Sequence, residues 1–266
     1  MAISQWQRRI SRAKKLVEQR PFAAEILRFY IEVARFQEGL HQWLNSAIPL
    51  QTSDSLTDSE LSPKQLSELS SRFDSFLSTV EKHAPPSLAA LTRELRARGM
   101  DFWSELLLDA WRASSPQVAQ GFLAQAFLQP YAELLRSNAT SPPAQTKHAY
   151  CPFCNRKPSF GVLRQMGEGA ARSLVCAFCL AEWDFRRLVC PGCGEENDKQ
   201  LPVFTASEFD YVRVECCDSC KTYIKTIDLT KNGLAEPVVD ELASAPLDLW
   251  AHEHGYAKLR PNLLGM

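Results

Sequence analysis

The sequence has no long apolar run, little net charge and no cysteine outside one segment of the chain. No stretch approaches the roughly 20 apolar residues that a membrane-spanning helix needs, so no such helix is expected. The formal net charge is −1 over 266 residues, which gives no bulk attraction to nucleic acid or to an anionic membrane. All nine cysteines lie within residues 151–220, so thiol chemistry is confined to that segment.

The sequence also lacks the usual patterns of catalytic sites. Residues 1–138 contain no glycine-rich phosphate loop, no serine–histidine–aspartate pattern and no pair of carboxylates with a compelling partner. His41 and His83 stand alone in segments with helical periodicity, where a single histidine is interpreted as structural or solvated. We therefore expect no catalytic residue and predict that the protein is not an enzyme.

The N-terminus is basic, but no apolar segment follows it. Arg8 and Arg9 superficially resemble a twin-arginine export signal. Without the apolar segment, we interpret them as part of the polar face of a helix and predict that the protein is not exported. Paired cysteines in a chain without a signal indicate metal binding in a reducing compartment. The expected location is the cytoplasm.

Apolar residues recur three and four positions apart along most of residues 1–138, which predicts an all-α domain. Ser62 and Pro63 are typical of a helix start, and Pro85 with Pro86 of a helix end. The predicted helices cover residues 1–20, 21–48, 63–84, 88–98, 102–112 and 116–136. Residues 139–147 are predicted to be a linker, because proline and small polar residues predominate there.

The cysteine segment contains four C-x-x-C pairs in two units of similar spacing. Each pair points two sulfur atoms at one spot, and two pairs make a tetrahedral four-thiolate site. The predicted ligand sets are Cys151, Cys154, Cys176 and Cys179 in the first unit, and Cys190, Cys193, Cys217 and Cys220 in the second. The spacing leaves two alternatives open, an interleaved arrangement of the pairs and structural disulfides.

Alternating apolar residues between and after the cysteine pairs predict β-strands. One hairpin is expected at residues 158–165 and 171–176, a second at 202–206 and 211–216, and a further strand at 221–229. Residues 238–256 are predicted to form a C-terminal helix that Pro246 disturbs. The predicted fold is therefore multidomain: an all-α N-terminal domain (1–138), two tandem rubredoxin-like or zinc-ribbon-like modules (148–186 and 187–231), and a C-terminal helix and tail (232–266).

The residue after each C-x-x-C pair often needs a positive φ angle, which glycine and asparagine tolerate. Gly194 and Asn155 fit this position, whereas Leu180 and Lys221 do not. We therefore expect a different geometry in the second pair of each unit. A four-sulfur site suits zinc or a single iron ion, and it leaves no open position for catalysis. Cys216 is the one unpaired cysteine and is expected to be a spectator.

The residues around the cysteines resemble the formate dehydrogenase accessory protein FdhE family. The resemblance rests on CPFCNRKPSFGVL (151–163), RSLVCAFCLAEWDFRRLVCPGCG (172–194), RVECCDSCKTYIKTIDL (213–229) and VVDELASAPLDLW (238–250). Asn155 and Pro246 depart from the residues usual in that family. The resemblance implies a cytoplasmic assembly factor, chaperone-like, that binds the catalytic subunit of formate dehydrogenase before export. It also implies rubredoxin-type iron at the eight paired cysteines, as two mononuclear sites, with zinc as the alternative.

Two other functions are alternatives to this one. A nucleic-acid-binding zinc ribbon would need a basic face, formed here by Arg156, Lys157, Arg164, Arg186 and Arg187. Residues 148–231 carry eleven basic and eleven acidic residues, so nucleic acid is not the expected partner. A thiol oxidoreductase would need a metal-free cysteine pair at the start of a helix, and no pair is followed by a helical pattern.

Overall fold

The fold is known from a computed structural model, which describes residues 4–47, 55–56, 60–112, 120–139, 149–262 and 264–265. Within these residues, six α-helices precede the cysteine segment, in agreement with the predicted all-α region. Ser62 begins the third helix with a capping box that Gln65 completes. The predicted start of the sixth helix at residue 116 and most of the predicted linker lie outside the described residues. The helices are α1 (Gln5–Gln19), α2 (Ala24–Ala47), α3 (Pro63–His83), α4 (Pro86–Ala97), α5 (Gly99–Arg112) and α6 (Gly121–Ser137).

The interpretation of Arg9 as part of a solvated helix face is wrong. Arg9 is buried and its guanidinium donates to both carboxylate oxygens of Glu133 on α6, at 3.1 and 3.0 Å. The apolar face of α1 packs on α2, and this packing places Arg9 in the interior. The carboxylate of Glu133, on a helix distant in sequence, compensates the buried charge. Arg8, by contrast, stays largely exposed beside Glu236.

The cysteine segment folds into strands that all belong to one sheet, in the order β3-β2-β1-β6-β5-β4 with β7 beside β6. Both predicted hairpins and the strand after Cys220 are present. The link between the two modules is the parallel pairing of β1 with β6, which the sequence did not predict. The strands are β1 (Pro158–Met166), β2 (Gly169–Cys176), β3 (Glu182–Asp184), β4 (Val203–Phe204), β5 (Val212–Cys217), β6 (Thr222–Asp228) and β7 (Ala257–Lys258).

Gly161 allows β1 and β6 to approach each other. It pairs with Thr226 across the parallel ladder, and a Cβ atom at this position would lie 2.5 Å from the Thr226 hydroxyl oxygen. Any other residue there would require the Thr226 side chain or its strand to shift. The two cysteine units are therefore joined edge to edge, so that their hairpins share a sheet.

The C-terminal region forms two helices, α7 (Pro237–Ala243) and α8 (Ala245–Glu253), in place of the single predicted helix. Ser244 separates them, and the ring of Pro246 suits the first turn of α8 rather than a helix interior. Both helices are held to the sheet by Lys225 of β6. Its ammonium group is fully buried and lies 3.1 Å from the Glu241 carboxylate and 2.6 Å from that of Asp248.

Candidate metal centres

The eight paired cysteines form two separate groups of sulfur atoms, one in each unit. Within each group all four sulfur atoms lie within 4.8 Å of one another. All nine cysteines are free thiols in the structure, so the disulfide alternative is not realised. The interleaved alternative is not realised either, because it would mix sulfur atoms of the two units. The groups are the first cluster (Cys151, Cys154, Cys176, Cys179) and the second cluster (Cys190, Cys193, Cys217, Cys220).

The four turns that carry the cysteines have one backbone geometry, which corrects the expectation of two kinds. Asn155, Leu180 and Lys221 have φ angles of 55°, 52° and 55°, and Gly194 has 82°. The turn needs this conformation to aim two sulfur atoms at one point. Leu180 and Lys221 adopt this positive φ angle, although residues other than glycine seldom do so. The geometry of the turn therefore outweighs the backbone preference of these two residues.

Backbone amides support the thiols in both clusters in the same way. The Phe178 N–H donates to the Cys176 sulfur at 3.3 Å, and the Gly192 N–H donates to the Cys190 sulfur at 3.2 Å. Each donor lies two residues after the first cysteine of its pair. These N–H dipoles favour a negatively charged sulfur, the form in which cysteine binds a metal ion.

The first cluster lies inside the core of the helical domain. All four of its cysteines are buried, and they share one apolar cluster with residues of α3, α5 and α6. Arg156, two residues after Cys154, is also buried and donates to the Ala110 and Trp111 carbonyls at the end of α5, at 2.5 and 2.8 Å. Its guanidinium carbon lies 3.6 Å from the centre of the Phe178 ring. This cation ties the first cluster to the helices and offsets part of the thiolate charge.

The second cluster lies nearer to the surface. Cys193 is exposed and Cys220 is half-buried, whereas Cys190 and Cys217 are buried. A side chain at Gly192 would require its neighbours to shift, because a Cβ atom would lie 2.9 Å from the Thr222 hydroxyl oxygen and 3.4 Å from the sulfur atoms of Cys190 and Cys220. The second cluster is closely packed on this side and open to solvent at Cys193.

The thiols of the second cluster differ in acidity. Burial raises the pKa of Cys190 to about 12. Burial also opposes ionisation of Cys220, but hydrogen bonds from Thr222 and from neighbouring thiols lower the pKa of Cys220 to about 7. Its sulfur lies 3.1 Å from the Thr222 hydroxyl oxygen. Cys220 therefore loses its proton more readily than Cys190.

The sulfur spacing fits a tetrahedral metal ion. A metal–sulfur bond of about 2.3 Å separates the sulfur atoms of a tetrahedral site by about 3.8 Å. In the second cluster the separations are 3.7 Å for Cys190–Cys220 and 3.7 Å for Cys193–Cys217. The first cluster is tighter, at 3.6 Å for Cys151–Cys179 and Cys154–Cys179 and 3.2 Å for Cys154–Cys176. Four sulfur donors without a nitrogen or oxygen ligand suit zinc or a single iron ion.

Cys216 does not join either cluster. It is buried in the apolar layer between β5 and α8. Burial and the nearby charges of Asp218 and Glu215 raise the pKa of Cys216 to about 12. A thiol with so high a pKa is a weak nucleophile at neutral pH.

Three of the five basic residues that the nucleic-acid alternative requires are buried or paired with carboxylates. Arg156 is buried against α5. Arg164 is paired with Glu182 at 2.8 Å, and Arg186 with Glu196 at 2.6 Å. These arginines therefore do not present a shared positive surface to a phosphate backbone.

Sequence reasoning missed three supporting groups: the Arg156 cation, the Thr222 hydroxyl and the close packing at Gly192. For Thr222 and Gly192, the signal available in the sequence was their position beside the cysteine pairs. Gly192 stands inside the third cysteine pair and Thr222 two residues after the fourth. Nothing local distinguishes Arg156 from a surface arginine, because its partners lie on α5.

No helix among the described residues is both long and apolar enough to cross a lipid bilayer. The cysteine pairs are followed by strands or loops, since β1, β3 and β6 come next after three of them. The helix-start setting that lowers the pKa of a redox-active cysteine pair is therefore absent from these four turns.

Comparison with known proteins gives one consistent result. The profile described as "FdhE, central domain" matches residues 150–187, and that described as "FdhE, C-terminal domain" matches residues 189–264. A "Protein FdhE homolog" from Aquifex aeolicus is 43% identical over 117 residues, which cover 44% of this chain and 41% of that relative. The matched region thus spans about two fifths of that relative's length.

Two further matches extend over almost the whole chain. A "Protein FdhE homolog" from Haemophilus influenzae is 27% identical over 95% of this chain and 85% of its own length. The crystal structure of the FdhE protein from Pseudomonas aeruginosa shares the fold with a TM-score of 0.71, at 23% identity, over 99% of this chain and 97% of that one. Residues 150–264, which contain both cysteine clusters, therefore match the FdhE family, and the chain as a whole shares the fold of an FdhE protein.

Proposed function

We propose that this protein is an accessory factor for the maturation of formate dehydrogenase, acts in the cytoplasm and is not an enzyme. In this proposal it binds the catalytic subunit of formate dehydrogenase before that subunit is exported. The observation that carries the proposal is the match of residues 150–264, which contain both clusters, to the FdhE family. The predicted domain boundaries form part of the same proposal.

We also propose that each cluster holds one metal ion through its four cysteines, as rubredoxin-type iron, with zinc as the alternative. The sulfur spacing and the N–H donors at Phe178 and Gly192 support this assignment. Bound iron would supply one-electron redox chemistry, and bound zinc a structural crosslink. The protein's own part is to fix four thiolates per site and, at the first cluster, to exclude water. Neither ligand set leaves a position for a substrate.

The partner proposal is tested by a binding measurement with purified proteins. The formate dehydrogenase catalytic subunit is immobilised, and the wild-type protein is passed over it. We expect saturable binding, with weaker binding by Cys190→Ser, which removes one ligand of the second cluster. Cys216→Ser is the matched control, because it removes a neighbouring thiol outside the cluster, and it is expected to bind like the wild type. Absence of wild-type binding would overturn the partner proposal.

The metal proposal is tested by elemental analysis and absorption spectroscopy of protein purified without oxygen. We expect about two metal ions per chain, with thiolate-to-iron charge-transfer bands when iron is bound. Cys193→Ser should lower the content to about one, and Cys216→Ser should leave it unchanged. A wild-type content below one metal per chain would contradict the two-site assignment.

A further inference from the structure

Strand β4 forms one edge of the sheet and has an open side. Among the described strands it pairs with β5 alone, with Val203 opposite Glu215 and Phe204 opposite Val214. The Cys216 N–H donates to the Pro202 carbonyl at 2.9 Å, so Pro202 is the residue whose carbonyl faces β5. Bonding directions alternate along an antiparallel ladder. The N–H and C=O of Val203 therefore point outward, where a further strand would pair.

The two faces of β4 each border a cavity. On one face lies a basic cavity of about 340 Å³, whose lining includes Arg187, Leu188, Leu201, Val203 and Arg213. On the other lies an aromatic groove of about 420 Å³, whose lining includes Phe22, Phe204, Phe209, Val214 and Trp250. Side chains of an added strand alternate between the faces of the sheet. Successive residues of such a strand would enter the two cavities in turn.

Exposed apolar side chains are concentrated at this edge. Of the nine large apolar side chains that are exposed in the described chain, four line these two cavities. They are Phe22, Leu188, Val203 and Phe204. Exposed edge strands usually carry charges or prolines that prevent pairing with another chain. Neither Val203 nor Phe204 carries such a group, so the edge is suited to association.

The charge of the basic cavity indicates which side chain would enter it. Glu215 is already paired with Arg172 at 2.6 Å. Arg187 is exposed, and half-buried Arg213 has its Nε atom 3.8 Å from the Glu215 carboxylate, so this buried Nε atom has an ion-pair neighbour but no hydrogen-bond acceptor. An acidic side chain would supply that acceptor. The aromatic groove contains two contacts between rings, Phe204 with Trp250 and Phe22 with Phe209. Such a surface suits an apolar side chain.

We propose that the open edge of β4 binds an extended segment of the client polypeptide as an additional strand. In that segment an acidic residue enters the basic cavity, and an adjacent apolar residue enters the aromatic groove. Cys190 and Cys217 also line the basic cavity, so the bound segment would lie against the second cluster. The inference rests on the proposed function, because the occupant is the client.

The test compares variants in their binding to the immobilised formate dehydrogenase catalytic subunit. Phe204→Lys puts a charge in the aromatic groove and is expected to weaken binding about tenfold or more. Arg187→Glu reverses a charge of the basic cavity and is expected to weaken it about threefold or more. Met166→Lys, which adds a charge at an exposed apolar site on β1, is the matched control and should bind like the wild type. Unchanged metal content and thermal unfolding would show that each variant is folded.

Hydrogen exchange of the wild-type protein gives a second readout that needs no variant. The Val203 amide should exchange rapidly in the free protein and become protected in the complex. Protection confined to other regions, together with tight client binding by Phe204→Lys, would overturn the docking proposal and leave the proposed function standing. Failure of the wild type to bind would overturn both. Self-association of the wild type that Phe204→Lys abolishes would assign this edge to a second copy and also overturn the proposal.

Discussion

The two cysteine clusters have the same turns and the same kind of amide donor, but they lie in different surroundings. The first is enclosed by α3, α5 and α6 and shares their apolar core. The second is bounded by its own strands and leaves Cys193 in contact with solvent. The same local motif therefore serves two structural purposes. At the first cluster a bound metal ion would support the helical domain, whereas at the second it would support a surface.

The two clusters also differ in the contacts that hold them to the rest of the protein. Arg156 connects the first cluster to the carbonyl end of α5. The second cluster is held from the other end of the chain, because the Tyr256 hydroxyl donates to Asp218 inside the fourth cysteine turn at 2.9 Å. The Ala257 N–H donates to the Lys221 carbonyl at 2.8 Å, which brings β7 against the same turn. Each contact offers a way to disturb one cluster and leave the other intact.

The largest expected difference is between Cys176→Ser and Cys193→Ser. Metal binding contributes folding free energy, and Cys176 is fully buried in the core shared with the helices. Cys176→Ser should therefore reduce the yield of folded protein severely, and loss of helical circular dichroism at 222 nm should accompany it. Cys193→Ser should keep the helical signal. Equal losses in the two variants would contradict the difference between the clusters.

Removal of metal by a chelator should occur in two phases. Release needs local opening, which costs less free energy at a surface than in a core. We expect the second cluster to lose its metal about tenfold faster or more than the first, as measured by the absorbance of a chromophoric chelator. Cys190→Ser should remove the fast phase alone. A single phase in the wild type would show that the clusters are equally protected.

Replacement of Arg156 tests the connection between the first cluster and the helices. Arg156→Met keeps much of the apolar stem but loses the hydrogen bonds to the Ala110 and Trp111 carbonyls, which are left buried without that donor. We expect a loss of about 3 kcal/mol in the free energy of unfolding, measured with denaturant. The control is Arg164→Met, which breaks a surface pair with Glu182 and should cost less than about 1 kcal/mol. Similar losses would contradict the assigned role of Arg156.

The smallest expected effect belongs to Tyr256→Phe at the second cluster. Loss of one hydrogen bond to Asp218 should cost about 1 kcal/mol. The fast phase of metal release should therefore accelerate about fivefold, while the slow phase stays the same. Tyr131→Phe is the control, because it removes a buried hydroxyl that accepts from Gln65 in the helical core. An equal change in both phases would show that the C-terminal contact does not act on the second cluster alone.

The parts of this structure that the sequence predicted are those set by neighbouring residues. The helix start at Ser62 and Pro63, the turn at each C-x-x-C pair and the alternation along β5 all depend on residues within a few positions of each other. Spacing likewise grouped the cysteines by unit. The left-handed angles at Leu180 and Lys221 were not predicted, because the closure of the turn decides them against the preference of those side chains.

The unpredicted features involve residues far apart in sequence. The burial of Arg9 depends on Glu133, and that of Arg156 on the end of α5. The pairing of β1 with β6 depends on the register between the two strands, which the sequence of either strand alone does not specify. The burial of the Lys225 cation depends on Glu241 of α7 and Asp248 of α8. Each of these requires the assembled fold.

The parallel pairing of β1 and β6 has a consequence for the order of folding during synthesis. The chain emerges from the ribosome N-terminus first, so the hairpin of β1 and β2 is complete before β6 exists. Until residue 228 has emerged, the edge of β1 that later pairs with β6 has no partner and is open to association with other chains. A nascent chain that stalls between the two cysteine units therefore carries an unprotected strand edge, and a chaperone that binds extended segments has a defined target there.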